Sequence, residues 1–139
     1  MSNEAKVTLV TVEGDGIQFR AEAKGQSIVT DSGPERVGPS PVDLLLFSLG
    51  ACQAMDVIDI LRKKRQRVTA YEVDLSGERR TDHPRAFTKI DVVHRVTGHE
   101  VSRRAVEHAV ELSHTKYCSV TASLDPKIQI TTRVEIVAA

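Results

Sequence analysis

The feature that most limits how this 139-residue chain can fold is the run from Pro41 to about Arg65. Leu44, Leu45, Leu46, Phe47, Leu49, Ala51, Ala54, Met55, Val57, Ile58, Ile60 and Leu61 make it apolar on nearly every side, until Arg62, Lys63, Lys64 and Arg65 end it. A helix that is apolar all round has to be buried. Its start is well marked: Ser40 stands at the N-cap, Pro41 at the first helical position and Asp43 at N3, where side-chain oxygens satisfy amides that the first turn leaves unpaired. The four terminal cations suit the negative end of the helix dipole. About 25 residues at about 1.5 Å each run ~37 Å, whereas a domain of this length has a radius of gyration of roughly 14 Å. The chain is too small to enclose such a helix alone, and an obligate homodimer is expected. A bilayer is not the alternative, because Asp43, Asp56 and Asp59 interrupt the run and each costs roughly 2.5–3.5 kcal/mol at a bilayer centre.

Around this helix the pattern is that of an α+β protein. Residues 6–12 and 17–23 flank Glu13-Gly14-Asp15-Gly16, and the second run alternates Ile17, Phe19, Ala21 and Ala23 with polar residues, which predicts a hairpin. Lys24-Gly25 turns into a third short run, 26–31, before a Gly/Pro-rich loop that leads to Ser40. Residues 68–77 and 85–96 predict a second hairpin across a turn at Thr81-Asp82-His83-Pro84. Residues 101–113 carry Val101, Ala105, Val106, Ala109 and Leu112 at helical spacing, and 127–137 alternate as a last strand. The order is βββ-α-ββ-α-β, a two-layer plan, with no repeat or composition shift to break residues 1–139 into more than one domain.

Nineteen Lys+Arg balance nineteen Asp+Glu, so the chain lacks the field that draws proteins to nucleic acid or to an anionic membrane surface. Aromatic residues make up 4% of it, without tryptophan, too few for a base-stacking platform. Gly14-Asp15-Gly16 belongs to a hairpin and opens no helix, so no phosphate loop is present. The five histidines show no HExxH or paired-cysteine spacing, and His114 with Cys118 supplies two ligands at most; no metal and no cofactor is expected. The beginning of the sequence lacks an apolar signal core, and two cysteines without a CxxC or a dense framework fit a reducing, cytoplasmic compartment.

Cys52 and Cys118 are the rarest chemistry that remains. Each is a small buried hydrophobe or a reactive thiol. Ser48, Cys52 and Asp56 follow at i, i+4 and i+8, a polar stripe on the apolar helix that suggests a lined cavity; Asp56 and Asp59 could equally pair with cations across a dimer seam.

The segment Gly38-Pro39-Ser40-Pro41-Val42-Asp43-Leu44-Leu45-Leu46-Phe47-Ser48-Leu49-Gly50-Ala51-Cys52, with Lys116-Tyr117-Cys118-Ser119-Val120 near the second helix, resembles the OsmC/Ohr family. The resemblance covers essentially the whole chain. It implies an OsmC-like fold, an intertwined homodimer with sites at the interface, and reduction of organic hydroperoxides by a cysteine pair and an external dithiol. By position Cys52 would be the peroxidatic and Cys118 the resolving cysteine, beside a substrate pocket lined by Leu45, Ser48, Leu49 and Met55. The family activates its thiol with an arginine held by a glutamate. Here the glutamate position is Val42 and the neighbouring acid is Asp43, which serves the helix cap or the site; the arginine position offers Ala23-Lys24-Gly25, with Arg20 and Arg36 nearby. These departures leave open a relative that keeps the dimeric fold as an apolar-ligand or stress-associated module without turnover.

Overall fold

A computed structural model describes residues 1–11, 13–33 and 37–139. The chain divides into two compact units, Met1–Leu45 and Leu46–Ala139.

The first unit is an antiparallel sheet of β1 (Lys6–Leu9), β2 (Phe19–Ala23) and β3 (Gln26–Thr30), in that order. β2 and β3 are joined by Lys24 and Gly25 alone, with φ of 51° and 76°. Two positive φ values in a two-residue loop match the right-handed twist of the strands, and glycine accepts its share without strain. β1 is shorter than the run from which it was expected, whose end at Val12 lies outside the described residues. Beyond β3 the chain is tied down by its own polar groups. Asp31 accepts from the amides of Gly33 at 2.7 Å and Val37 at 3.3 Å, and Thr30 Oγ1 donates to the Pro39 carbonyl at 2.9 Å. Gly38 packs so close to the Val29 carbonyl that a Cβ would overlap it.

Ser40 then closes the expected capping box: its amide donates to Asp43 Oδ2 at 3.0 Å, and the Asp43 amide donates to Ser40 Oγ at 3.1 Å. Such a cap stabilises a helix by about 1 kcal/mol. The helix α1 runs Pro41–Lys63 and continues into the second unit.

There β4 (Arg67–Arg79) and β5 (Phe87–His99) form a long antiparallel hairpin, and β6 (Gln129–Ala138) pairs with β5 in parallel, giving the order β4-β5-β6. A parallel neighbour requires a crossover. It is made by α2 (Arg103–Leu112), a π-helical turn at Ser113–Tyr117 and the short α3 (Ser119–Ser123). The second helix was expected to run evenly through Ser113; instead its last residues widen into the π turn, and α3 was not foreseen. The α+β class and the order βββ-α-ββ-α-β otherwise hold, with two three-stranded sheets.

Leu49, Gln53, Val57 and Leu61 of α1 are buried at four-residue intervals, a single stripe. Val57 and Leu61 pack with Val96 of β5 and with Val106, Ala109 and Val110 of α2. Away from the stripe Phe47 is 58% and Met55 70% exposed. α1 is long and apolar enough to cross a membrane by length and composition alone, and 28% of its most apolar window is buried within the chain. On β5, Ile90, Val92, His94 and Val96 point inward. On the opposite face Arg95 reaches Glu72 at 2.7 Å, Asp74 at 2.9 Å and Glu135 at 2.8 Å, tying all three strands together.

Candidate active site

Residues one position before the buried stripe of α1 are rotated by about 100°, so Cys52 and Asp56 flank the core side by side, one turn apart and half-buried. Facing them is the segment that leaves α2. In its π turn the Cys118 amide donates to the Ser113 carbonyl at 2.8 Å, which ends the helix and sets Cys118 as the N-cap of α3, where its Sγ accepts from the Thr121 amide at 3.3 Å. Cys118 is 4% exposed. The ligand atoms of Cys52, Cys118 and Asp56 all lie within 4.8 Å of one another, and both cysteines are free thiols. Two residues far apart in sequence thus meet with a carboxylate between two helices.

Burial pushes the Cys52 thiol above its ordinary value, the neighbouring Cys118 thiol and Asp56 carboxylate push the same way, and the Val120 backbone opposes them. Among the described residues, no cation is one of these influences. Ser113 Oγ donates to Asp56 Oδ2 at 2.8 Å and fixes the carboxylate beside the sulfurs.

Behind the cysteines runs a buried polar chain. Tyr71 OH meets His94 Nδ1 at 2.6 Å, His94 Nε2 meets Gln53 Oε1 at 3.0 Å, and Gln53 Nε2 donates to Thr121 Oγ1 at 3.3 Å. The polarity is consistent from end to end: the tyrosine donates, and the neutral imidazole accepts at Nδ1 and donates from Nε2. Burial pushes His94 down to about 4 and raises Tyr71 above its ordinary range, so both stay uncharged at neutral pH. Thr121 therefore ends the polar chain with its hydroxyl and holds Cys118 with its amide.

The other residues singled out in the sequence are placed as follows. Asp43 is in the capping box. Arg20 lies in β2, exposed, opposite Thr8 and Val29, and Arg36 lies outside the described residues. Of the pocket residues Leu49 is buried in the core, while Leu45, Ser48 and Met55 are exposed. The polar stripe of Ser48, Cys52 and Asp56 does lead to the site at its second and third members. Gln53, His94, Tyr71, Ser113 and Thr121 were missed. For His94 the signal was parity, since it alternates with Ile90, Val92 and Val96 on the apolar face of its strand; Ser113 gave none, because its position depends on the π turn.

The OsmC-like protein family matches residues 31–133, most of the chain and both cysteines. The chain belongs to the OsmC-like family. The protein YhfA of Escherichia coli K12 is 43% identical to this OsmC-like chain over 126 residues, which are 90% of this chain and 94% of that protein. A crystal structure of a hypothetical protein from Aquifex aeolicus VF5 is 31% identical, with a TM-score of 0.89 over 100% of this chain and 98% of that one. The organic hydroperoxide resistance protein OhrB of Bacillus subtilis shares the OsmC-like fold at 13% identity, with a TM-score of 0.65 over 97% and 98% of the two chains.

Proposed function

We propose that this OsmC-like protein is a thiol-dependent peroxidase that reduces organic hydroperoxides in oxidative stress defence. The observation that carries the reading is the approach of Cys52 and Cys118, both free, from separate segments. In the reaction the Cys52 thiolate attacks the outer peroxide oxygen, the O–O bond breaks, and the alcohol leaves with a proton, leaving a sulfenic acid. The Cys118 thiol attacks that sulfur, water departs and a disulfide forms; an external dithiol exchanges with it and regenerates both thiols. The half-exposed Cys52 is the one that meets peroxide, and the buried Cys118 the one that resolves. The Thr121 amide aims Cys118. The exposed apolar side chains of α1, such as Met55, favour alkyl peroxides over hydrogen peroxide. Residues 1–139 act as one domain of a cytoplasmic homodimer, in which the apolar surface of α1 is covered by a second copy. No cofactor takes part.

The test is consumption of cumene hydroperoxide with dithiothreitol by the wild type and by Cys52→Ser. Turnover in the wild type that the variant lacks supports the reading, and equal rates overturn it.

One observation favours a second reading. Cys52 stands beside a carboxylate, its thiol is held above the ordinary value, and Val42 occupies the family's glutamate position. A dimer that binds an apolar ligand or serves as a stress-associated module without turnover would show this. Thiol titration of the assembled protein separates the two: a Cys52 value well below the free-cysteine value of about 8.5 supports the peroxidase, and a normal or raised one supports the module.

A further inference from the structure

Two of the three groups at the site, Cys52 and Asp56, stand at i and i+4 on one helix, the spacing by which a helix offers two ligands from one face. The third, Cys118, approaches from the end of the π turn, and all three ligand atoms lie within 4.8 Å of one another. Around a tetrahedral Zn2+ with Zn–S near 2.3 Å, ligand atoms stand about 3.8 Å apart, so about an ångström of closure suffices for the widest pair.

The surroundings suit a cation better than they suit free thiols. Two of the three groups accept a hydrogen bond from a donor on one short segment: Asp56 from Ser113 Oγ and Cys118 from the Thr121 amide. Outer donors of this kind orient metal ligands and stabilise their anionic forms. Two thiolates exclude Ca2+ and Mg2+, whose ligands are oxygens, and the carboxylate suits Zn2+ better than Cu(I).

We propose that the reduced protein binds one Zn2+ per chain through Cys52, Asp56 and Cys118. Three protein ligands leave the fourth position to water, as in open zinc sites. Disulfide formation removes two of the three ligands, so metal binding and the oxidised pair exclude each other. The proposal does not rest on peroxide turnover: a dithiol that never meets peroxide would bind the same ion.

The test uses the reduced, full-length protein titrated first with Co2+ and then with Zn2+. One equivalent of Co2+ per chain should give thiolate-to-metal charge-transfer absorption and the intense visible bands of tetrahedral cobalt, and Zn2+ should displace it stoichiometrically. Loss of outer donors alone weakens metal sites by ~10–100-fold, so Cys52→Ser and Cys118→Ser should each weaken Zn2+ by more than that and abolish the charge-transfer band. Asp56→Asn should keep the band and weaken Zn2+ by at least roughly tenfold. The preformed disulfide should bind neither metal. Circular dichroism confirms that each variant is folded, and a variant that is not is replaced by the alanine at the same position. No band in the presence of excess Co2+, or Zn2+ affinity unchanged in either serine variant or in Asp56→Asn, overturns the proposal. Peroxide consumption of the metal-free protein is measured in parallel: zinc binding without turnover leaves this site standing and sinks the peroxidase, while turnover without zinc binding does the reverse.

Discussion

Ser113 Oγ donates to Asp56 Oδ2 at 2.8 Å, and through this bond the first residue of the π turn is fastened to the middle of α1. The same serine accepts from the Cys118 amide with its carbonyl at 2.8 Å. One buried residue thus sets the position of the carboxylate and of the second cysteine together. Ser113→Ala should cost about 1–3 kcal/mol of stability, the usual range for leaving a partner of a buried hydrogen bond unsatisfied, read from urea unfolding. It should also slow disulfide formation after a single equivalent of peroxide; a variant as stable as the wild type would contradict this.

Burial is the main cause of the raised Cys52 thiol, and the Asp56 charge adds to it; Asp56→Asn removes that smaller contribution. The thiol should then ionise at lower pH, and alkylation of Cys52 by iodoacetamide at neutral pH should be faster than in the wild type. Identical pH profiles of alkylation would show that the carboxylate does not act on this sulfur.

The two cysteines should fail differently. Cys52→Ser should consume peroxide no faster than the uncatalysed mixture. Cys118→Ser should turn over once and accumulate a sulfenic acid on Cys52, detected by dimedone adduct mass. Sustained turnover by Cys118→Ser with dithiothreitol at the wild-type rate would remove Cys118 from the resolving role.

His94 makes stability depend on pH. Its folded value of about 4 lies below the ordinary 6.5, so between these values the unfolded chain binds the proton that the native one refuses. The native state keeps its full advantage above about pH 6.5 and loses up to ~3 kcal/mol as pH falls toward 4, at about 1.36 kcal/mol per unit. Urea midpoints measured from pH 7.5 to 4.5 should fall accordingly, and His94→Gln should flatten that part of the curve. Parallel curves would assign the pH effect to other groups.

Gly98 is buried in β5, and a Cβ there would overlap the Arg67 carbonyl oxygen of the neighbouring strand. Backbone cannot yield as a side chain does, and Gly98→Ala should cost ~3 kcal/mol or more. Gly16, where the nearest atom to an added Cβ is Thr11 Cγ2 at 3.8 Å, should accept alanine within about 0.5 kcal/mol. Equal losses at the two positions would refute the steric account.

The exposed Phe47 and Met55 on α1 should lie in a dimer seam. Sedimentation equilibrium should give twice the 15.3 kDa chain mass, and Met55→Glu should shift it toward one chain. A monomeric wild type would mean that the apolar surface of α1 is covered by something other than a second copy.

The helix α1 was legible because its start, its end and its burial are all written locally, in Ser40 to Asp43, in Arg62 to Arg65 and in the residues between. The hairpins were legible from alternation, although β4 extends past both expected ends and β5, starting at Phe87, past its last one, since pairing with a long neighbour recruits residues such as Arg79 and Gly98 that strand propensity alone does not favour. The two cysteines were singled out by their rarity and by the family resemblance. Their surroundings were not legible. The π turn is a single-residue widening that no periodicity announces, and it decides where Ser113, Cys118 and Thr121 stand. The first-turn pattern favoured a cap over a site role for Asp43, and its reciprocal bonds with Ser40 make that cap.

β5 carries its two most polar demands on adjacent residues. His94 faces the core as a neutral imidazole with both nitrogens bonded, and Arg95 faces outward among three carboxylates. A slip of one residue in the pairing of this central strand would exchange the two faces. It would drive a guanidinium into the core, at a desolvation cost of several kcal/mol, and strand three acids outside without their counter-charge. The pair thus proofreads the alignment of the whole sheet: a pairing of β4, β5 and β6 out of step is penalised by charge as well as by shape.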